Sequence, residues 1–422
     1  MADPTLVQSI RRDAMPLHQA SDYDAIVDAI GDSRIVLLGE ASHGTSEFYT
    51  IRAEITKRLI ERQGFRIIAI EGDWPSCYEI NRWIKNYTGA AGSVRDALSA
   101  FGRWPTWMWA NEEVEAFAQW LKAFNGKREG DDLVGFYGFD VYSLWESMEE
   151  TIRYLRKTNS PELDHAIRAF ECFEPYGRDE QSYGAAAAYA LGESCEQEVI
   201  DLLRELRVRR MGEGIRDEEA LSAVMNTLVA VDAEHYYRSM VRGGPESWNI
   251  RDRHMTEVMA RMMDAYGDEA KIVVWAHNTH IGDARATDMA DEGMVNVGQL
   301  ARERFGADNV YAIGFGTYEG TVVAGRSWGA QPAKMRVPKA AEDSWEEAMH
   351  EAGVASGWLS FRGKDGEYDQ HIGHRAIGVV YHPQYERFGN YVPSSMSARY
   401  DAFVFVDQTK ALAPVVPEPV FA

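Results

Sequence analysis

The sequence contains little cysteine, which limits the ways in which the chain can be held together. Cys77, Cys172 and Cys195 are the only three cysteines among 422 residues. Because they are odd in number and widely spaced, they indicate neither a disulfide framework nor a cysteine-rich metal site. The chain is long enough for about two or three structural units, and we expect a large hydrophobic core to stabilise it.

The sequence also lacks segments that would direct the chain into or across a membrane. No uninterrupted apolar run approaches the length of a membrane-spanning helix. Residues 1–5 lack the basic and apolar regions of a signal peptide. We therefore expect a cytoplasmic protein with no membrane partner.

Positive charge is in the minority. The chain carries 44 lysine and arginine residues against 66 acidic residues, and its net charge is −22. This excess of acid repels a phosphate backbone, so we expect no nucleic-acid partner. The sequence contains no internal repeat and no signal for an oligomeric state, and we expect its partner to be a small molecule.

Short apolar strands alternate with helices over the first part of the chain. Residues 34–38 form an apolar run typical of a strand that is covered on both faces. Residues 45–62 repeat apolar side chains at helical spacing and end before Gly64. Further strands are predicted at residues 66–70, 133–137, 271–275 and 309–315. This alternation predicts an α/β fold with a mostly parallel central sheet flanked by helices.

The strand pattern disappears in the middle of the chain, where helices are predicted at 144–158, 161–173, 185–207 and 217–241. We therefore expect an inserted all-helical subdomain that forms a lid over the substrate cleft, and a C-terminal α+β portion with short strands at 321–324, 376–381 and 402–406. The predicted boundaries are 1–141 for the first part of the α/β core, 142–264 for the helical insertion, 265–317 for the second part of the core and 318–422 for the C-terminal portion that completes it.

Polar side chains follow four of the predicted strands. Because ligands bind outside the carboxyl ends of the strands in open parallel sheets, we expect these side chains to share one site. The alternative is that they only close strand-to-helix turns. The residues are Glu40 and His43 after the first strand, Glu71 and Asp73 after the second, Asp140 after the third, and His277 and His280 after the fourth.

Arg52 lies on the apolar side of the first long helix, four residues after Phe48 and three before Ile55. An unpaired buried guanidinium is prohibitively costly, so this position predicts a carboxylate partner. Glu40 and Glu71 are the nearest candidates. The alternative is that Arg52 lies at the edge of the apolar face of the helix and extends its guanidinium into water.

His43 is the candidate general base, because the ordinary pKa of histidine lies near neutral pH. Glu40 or Glu71 could orient its ring and stabilise the protonated form. His277 and His280 could polarise a carbonyl, donate to a developing oxyanion or bind a metal. The pattern predicts activation of a water molecule with electrostatic support.

Two other mechanisms stay open. Histidine and carboxylate ligands would suit zinc or manganese, but a His-x-x-His pair in a loop is a weak signal, and we expect no required cofactor and no metal ligands. Residues 325–329 match the G-x-S-x-G nucleophile elbow around Ser327. The elbow needs a helix directly after it, and residues 330–334 begin none convincingly.

Aromatic residues cluster ahead of the helix predicted at 111–124. Such rings mostly fill a core, but one or two of them could line a cleft for a bulky apolar ligand. The pairs His371-x-x-His374 and Tyr381-His382 are predicted to be surface features. The cluster consists of Trp104, Trp107 and Trp109, and the candidate substrate-binding residues are Trp107, Trp74, Asp73 and Asp140.

Short motifs occur along the chain, and they are Gly39-Glu40-Ala41-Ser42-His43-Gly44, Glu47-Phe48 with Arg52, Glu71-Gly72-Asp73-Trp74, Pro105-Thr106-Trp107-Met108-Trp109, His277-Asn278 with His280, Arg375-Ala376-Ile377-Gly378-Val379 and Tyr400-Asp401-Ala402-Phe403. Taken together, these motifs resemble the erythromycin esterase family over nearly the whole chain.

The resemblance implies a hydrolase of carboxylic esters or lactones, with an α/β core and a helical insertion. In that family the histidine of the first motif is regarded as the base that activates water against a macrolide lactone, and this role would fall on His43. The supporting polar residues would be Glu40, Arg52, Glu71, His277 and His280. A covalent serine intermediate becomes less favoured. Some members are associated with succinoglycan biosynthesis, so a non-catalytic binding or biosynthetic accessory protein is the alternative.

Overall fold

The structure is a computed structural model that describes residues 2–176, 180–188, 195–210, 217–364 and 366–415. A nine-stranded sheet forms its centre, and a second sheet has two strands. The strands are β1 (Met15–Pro16), β2 (Ile35–Leu38), β3 (Ile67–Asp73), β4 (Gly135–Asp140), β5 (Ile272–Trp275), β6 (Val310–Ala324), β7 (Ala333–Val337), β8 (Ser356–Ser360), β9 (Ile372–Arg375), β10 (Tyr391–Ser394) and β11 (Ala402–Thr409).

Helices cover both faces of the central sheet. They are α1 (Pro4–Asp13), α2 (Asp22–Ile30), α3 (Ser46–Gln63), α4 (Trp74–Ile84), α5 (Val94–Leu98), α6 (Glu112–Asn125), α7 (Leu144–Lys157), α8 (Leu163–Phe173), α9 (Glu180–Ala188), α10 (Glu196–Arg210), α11 (Glu218–Met240), α12 (Glu246–Tyr266), α13 (Asn278–Ile281), α14 (Val297–Phe305), α15 (Trp345–Glu351), α16 (Glu386–Gly389) and α17 (Met396–Arg399).

The order of the strands in the central sheet is β1-β8-β11-β6-β2-β5-β3-β4, and β7 pairs with β6. All pairings from β11 to β4 are parallel, whereas β1 with β8, β8 with β11 and β7 with β6 are antiparallel. The predicted α/β fold with a mostly parallel sheet is therefore confirmed. The carboxyl ends of β2, β3, β4 and β5 meet at one edge, which places the polar residues that follow them close together.

Strand β2 shows why the apolar pattern predicts this sheet. Ile35 and Leu37 pack into the core on one face, and Val36 and Leu38 pack into the core on the other. All four side chains are buried, so both faces need apolar residues and the sequence shows a continuous run. Helix α3 follows and ends where Gly64 takes a left-handed φ of 74°.

Helices α7 to α12 lie between β4 and β5 along the chain, and part of this region has a hydrophobic cluster of its own. The helix predicted at 185–207 crosses residues 189–194, which lie outside the described residues. Cys172 and Cys195 form a disulfide, so the expectation drawn from cysteine spacing is wrong for this pair. Their Cα atoms are 5.9 Å apart although 23 positions separate them in the sequence, and that proximity depends on helix packing. Cys77 is free and buried.

The C-terminal portion adds β8 and β11 to the central sheet, and the strand predicted at 402–406 is observed as part of β11. The strands predicted at 309–315 and 321–324 are one long strand, β6. The strand predicted at 376–381 is wrong, because these residues make only isolated bridges with Ser42 and Gly325. Within the described ranges, no helix has both the length and the apolar character needed to cross a bilayer.

Candidate active site

A cavity of about 510 Å³ opens at the carboxyl ends of the central strands. It is lined by residues from all four predicted strand ends, which are His43, Glu71, Asp73, Asp140, His277 and His280. Glu40 and Arg52 are fully buried and contact the site from behind His43. The structure therefore brings the six candidate catalytic residues and two of the four candidate substrate-binding residues together.

The turn between β2 and α3 holds His43 in place and requires glycine at both of its ends. A Cβ atom on Gly44 would lie 2.0 Å from the carbonyl oxygen of Val323, and one on Gly39 would lie 2.1 Å from Asn278 Oδ1. Only glycine permits such close approach of backbone to its neighbours. Residues 39–44 therefore pack closely against β6 at one end and against the turn after β5 at the other.

His43, Glu40 and Arg52 form a buried chain of hydrogen bonds with Glu40 in the middle. His43 Nδ1 lies 2.8 Å from Glu40 Oε1, and Arg52 Nη2 donates to Glu40 Oε2 at 2.6 Å. The guanidinium also lies 4.5 Å from the ring centre of Tyr49 and 4.9 Å from that of Trp275. Arg52 therefore has the carboxylate partner that its position on the helix requires. Because Nδ1 is engaged by Glu40, Nε2 is the ring nitrogen left for a water molecule.

The surroundings of His43 favour its protonated form. Burial opposes the charged ring, but the charge of Glu71 and the hydrogen bond and charge of Glu40 outweigh burial and raise the pKa of His43 above its ordinary value. The positive charge of Arg251 lowers the pKa of His43. A base with a raised pKa holds an accepted proton more firmly, which suits proton transfer from water.

Glu71 is a fixed anion beside His43. Its Oε1 accepts from Arg251 Nη2 at 2.8 Å, and its Oε2 accepts from the backbone N–H of His277 at 2.7 Å. Burial alone would raise the pKa of Glu71, but the charges of His280, His43 and Arg251 lower it to about 2. Glu71 is therefore suited to electrostatic support and not to donating a proton near neutral pH.

His280 is held by contacts on both ring nitrogens. Its Nδ1 lies 2.9 Å from Asp252 Oδ1, and its Nε2 lies 3.0 Å from Arg251 Nη1. Asp252 can only accept when ionised, so it holds the Nδ1–H of His280. Trp248 stacks on this ring with centroids 4.5 Å apart. His280 thus orients Arg251 and lines the cavity wall.

His277 has a different environment. Burial and the positive charge of His43 lower the pKa of His277 well below its ordinary value, so the ring is neutral. The backbone N–H of Thr279 donates to Nδ1, which places the ring proton on Nε2. This nitrogen has no hydrogen-bond partner within the described part of the chain, and the ring lies 4.8 Å from that of His43. His277 is therefore an unused hydrogen-bond donor next to the candidate base.

Two arginines that the sequence analysis missed pair with the acids of the cavity wall. Arg251 donates to Asp140 at 2.9 and 2.7 Å, and Arg103 donates to Asp73 at 2.9 and 2.6 Å. Both guanidinium groups lie over the ring of Tyr142, at 4.8 and 4.9 Å from its centre. Arg251 lies in a run of charged residues on α12, where the pattern cannot show which of them turns inward.

Aromatic side chains also line the cavity. Trp104, Trp109 and Trp328 line it, and Trp109 Nε1 donates to the backbone oxygen of Glu71 at 2.8 Å. Trp107 and Trp74, which were predicted to bind substrate, do not line the cavity. Trp107 packs in the core below it, and Trp74 turns toward α11, where its Nε1 donates to the hydroxyl of Ser222.

The remaining sequence candidates lie away from the reaction centre. Ser327 is exposed, and the chain continues into β7 where a nucleophile elbow would need a helix. His374 is buried, contrary to the surface prediction, and bridges Glu346 Oε1 at 2.6 Å and Asn278 Nδ2 at 3.1 Å. Tyr381 is also buried. These last two side chains support the fold beside the site.

Glu40, His43 and Glu71 carry side-chain atoms of the kinds that bind metal ions. Donor atoms of Glu40, His43 and Glu71 lie within 4.8 Å of one another. However, all four carboxylate oxygens already accept hydrogen bonds, from His43, Arg52, Arg251 and the His277 backbone. A cation bound here would therefore share these oxygens with the guanidinium groups and the backbone donor.

Comparison with known proteins places this site in a wider context. The profile of a family described as erythromycin esterase matches residues 60–409. Erythromycin esterase type II of Escherichia coli is 24% identical over 364 residues, which cover 81% of this chain and 84% of that protein. The putative hydrolase YbfO of Bacillus subtilis (strain 168) is 23% identical over 331 residues, covering 74% and 72% of the two chains.

Two solved structures share the fold. A succinoglycan biosynthesis protein superposes with a TM-score of 0.79 at 21% identity and covers 97% of each chain. An erythromycin esterase mutant, EreC in its open conformation, superposes with a TM-score of 0.68 at 18% identity and covers 96% of each chain. Because the family profile extends over most of the sequence, the chain belongs to the erythromycin esterase family.

Proposed function

We propose that this protein hydrolyses a carboxylic ester or lactone in a macrolide-like substrate, with water activated by His43. The family and the names of its relatives support the substrate class. The observation that carries the mechanism is the chain of hydrogen bonds from Arg52 through Glu40 to His43, which ends at the cavity wall. It leaves one nitrogen of a correctly oriented imidazole for water.

In the proposed reaction His43 Nε2 takes a proton from water while the oxygen attacks the carbonyl carbon. Glu40 accepts from Nδ1–H and, with Glu71, stabilises the imidazolium that forms. The Nε2–H of His277 donates to the developing oxyanion. His43 then returns the proton to the departing alkoxide, so that one water is added, the ester C–O bond breaks, and an acid and an alcohol are formed.

The two kinds of cavity wall support an amphipathic substrate. The side chains Asp73 and Arg103 form one ion pair in the polar wall, and Arg251 pairs with both Asp140 and Glu71. The tryptophan-lined wall offers apolar area for a large ring. The volume of about 510 Å³ lies within the range of small-molecule sites. We assign substrate binding to Asp73 and Asp140 together with their arginine partners.

The function is tested by incubating the purified protein with a panel of macrolides and simpler lactones and esters. Mass spectrometry should detect products heavier by one water for lactones, and cleaved acid and alcohol for esters. Turnover of macrolides would make the protein a resistance determinant. Stoichiometric binding across the panel without any product would contradict a hydrolase and favour a binding or biosynthetic accessory role.

The same assay separates the proposed mechanism from its two competitors. Because the hydrogen-bonded Arg52, Glu40 and His43 can activate water without a Lewis acid, we propose that no metal is required, and chelator-treated protein should keep its activity. Ser327→Ala should also keep it, because that hydroxyl is exposed and does not line the cavity. Loss of activity on chelation that returns with added zinc or manganese would favour the metal-dependent mechanism.

The pH profile tests the electrostatic role of Glu71. A general base works only when unprotonated, so kcat/KM should fall as pH drops through the pKa of His43, which is raised above its ordinary value. Glu71→Gln removes the largest influence that raises this pKa and should move the acidic limb to lower pH. Glu54→Gln, a matched change on α3 where the acid pairs with Lys57 and Arg58, should leave the limb in place. An unmoved limb in Glu71→Gln would contradict the role given to Glu71.

A further inference from the structure

Large apolar side chains are exposed around the mouth of the cavity. Among the described residues, Trp328, Tyr385 and Phe388 are the large apolar side chains left exposed, at 60%, 64% and 83%. Trp328 lines the cavity, and Phe388 directly precedes two residues that line it. Exposed aromatic rings gathered at one place indicate a contact surface, since single scattered ones are ordinary.

The rings belong to two chain segments that form one surface, called here the mouth rim: residues 325–336 and 382–390. Gly325 N–H donates to the carbonyl of Val379 at 2.9 Å, and Tyr381 N–H donates to the carbonyl of Gly325 at 3.0 Å. Tyr381 also packs with Met335 of β7 in a small hydrophobic cluster. These contacts hold residues 379–381 against the first segment, and the second segment begins directly after them.

The mouth rim is basic although the protein is strongly acidic. Its exposed charges are Arg326, Lys334, Arg336 and Arg387. Its single acid, Glu386, is buried and pairs with Arg375 at 2.8 Å. The whole chain carries a net charge of −22, so the rim departs sharply from the rest of the sequence.

Protection of a sheet edge explains only part of this pattern. Strand β7 alternates buried apolar residues with outward Lys334 and Arg336, and outward charges commonly prevent edge strands from pairing with other chains. That explanation does not extend to Arg387 and Phe388, which lie on the other segment and belong to no edge strand. A shared contact surface accounts for both segments.

We propose that the mouth rim docks the protein on an anionic lipid surface, with the cavity opening toward the interface. Tryptophan, tyrosine and phenylalanine favour the boundary between headgroups and acyl chains, and basic residues beside them are attracted to anionic headgroups. The rest of the acidic chain is repelled by such a surface, which fixes the orientation. This is peripheral docking and needs no spanning helix. It does not depend on the proposed hydrolysis.

The test is sedimentation of the purified protein with vesicles of phosphatidylcholine alone or mixed with phosphatidylglycerol. The wild type should bind the mixed vesicles, and added salt should weaken the binding. Arg326→Glu/Arg387→Glu should lower the partition coefficient by about tenfold or more, since each basic residue contributes separately. Phe388→Ser should lower it as well by removing an inserted ring.

The matched control is Arg153→Glu/Arg204→Glu, which makes the same charge change on exposed arginines of α7 and α10. It should bind nearly as the wild type does. Equal losses in the rim and control variants would show general repulsion and overturn the proposal. So would failure of the wild type to bind the mixed vesicles, including the case in which it binds a soluble sulfated polysaccharide instead. Circular dichroism and thermal unfolding establish that all variants are folded.

Discussion

His43→Ala is expected to lower kcat for ester or lactone hydrolysis by about 10²–10⁴-fold, the usual contribution of a positioned general base. In the proposed mechanism the imidazole takes the proton from water, and no other histidine that lines the cavity combines a raised pKa with a ring nitrogen left for water. Glu40 keeps its bond to Arg52, so the fold should survive. Single-turnover product formation followed by mass spectrometry measures the effect.

Two further measurements distinguish loss of a base from general damage. Added imidazole should restore part of the turnover of His43→Ala, because it can occupy the space left by the ring. His371→Ala, a matched change at an exposed histidine, should leave kcat unaltered. Activity within tenfold of the wild type in His43→Ala, with an acidic limb still in its pH profile, would assign the base to another residue.

Arg52→Ala is expected to lower the free energy of unfolding by about 3–5 kcal/mol, the range seen when one member of a buried ion pair is removed. Glu40 is fully buried, and without Arg52 its charge would keep only the hydrogen bond to His43. The variant also loses the contacts of the guanidinium with Tyr49 and Trp275. Chemical denaturation with a fluorescence readout measures the change.

Arg58→Ala provides the control on the same helix. Its guanidinium pairs with Asp24 and Glu54 near the surface, so its removal should cost about 1 kcal/mol or less. The double variant Glu40→Gln/Arg52→Met should recover part of the stability lost in Arg52→Ala, because the stranded charge is gone, yet remain inactive. Equal destabilisation by Arg52→Ala and Arg58→Ala would contradict the importance of the buried pair.

The sequence predicted best the strands and helices whose pattern of apolar residues is visible within the element itself. Strand β2 is a continuous apolar run and α3 has helical periodicity with a glycine after it, so their observed ends lie close to the predicted ones. The parallel arrangement then makes the convergence of His43, Glu71 and His277 a consequence of strand order. The partner of Arg52 followed from the cost of burying a lone charge.

The parts that sequence alone missed depend on how distant segments pack. Arg251 reaches the site because α12 turns that residue, among several charged neighbours, toward Asp140. Trp74 and Trp107 carry the same chemistry as Trp104 and Trp109, and only the packed structure shows which rings meet the cavity. The pair Cys172 and Cys195 is joined through helix packing that spacing does not reveal.

Helix α12 contributes Trp248 and Arg251 to the cavity and Asp252 to the support of His280, whereas Glu40, His43 and Arg52 belong to α3 and the turn before it. The candidate base and its hydrogen-bonded support thus lie within one short stretch of chain, whereas the guanidinium that pairs with Glu71 comes from a distant helix. An exchange of α12 would therefore leave His43, Glu40 and Arg52 in place but would remove the guanidinium that pairs with Glu71 and Asp140.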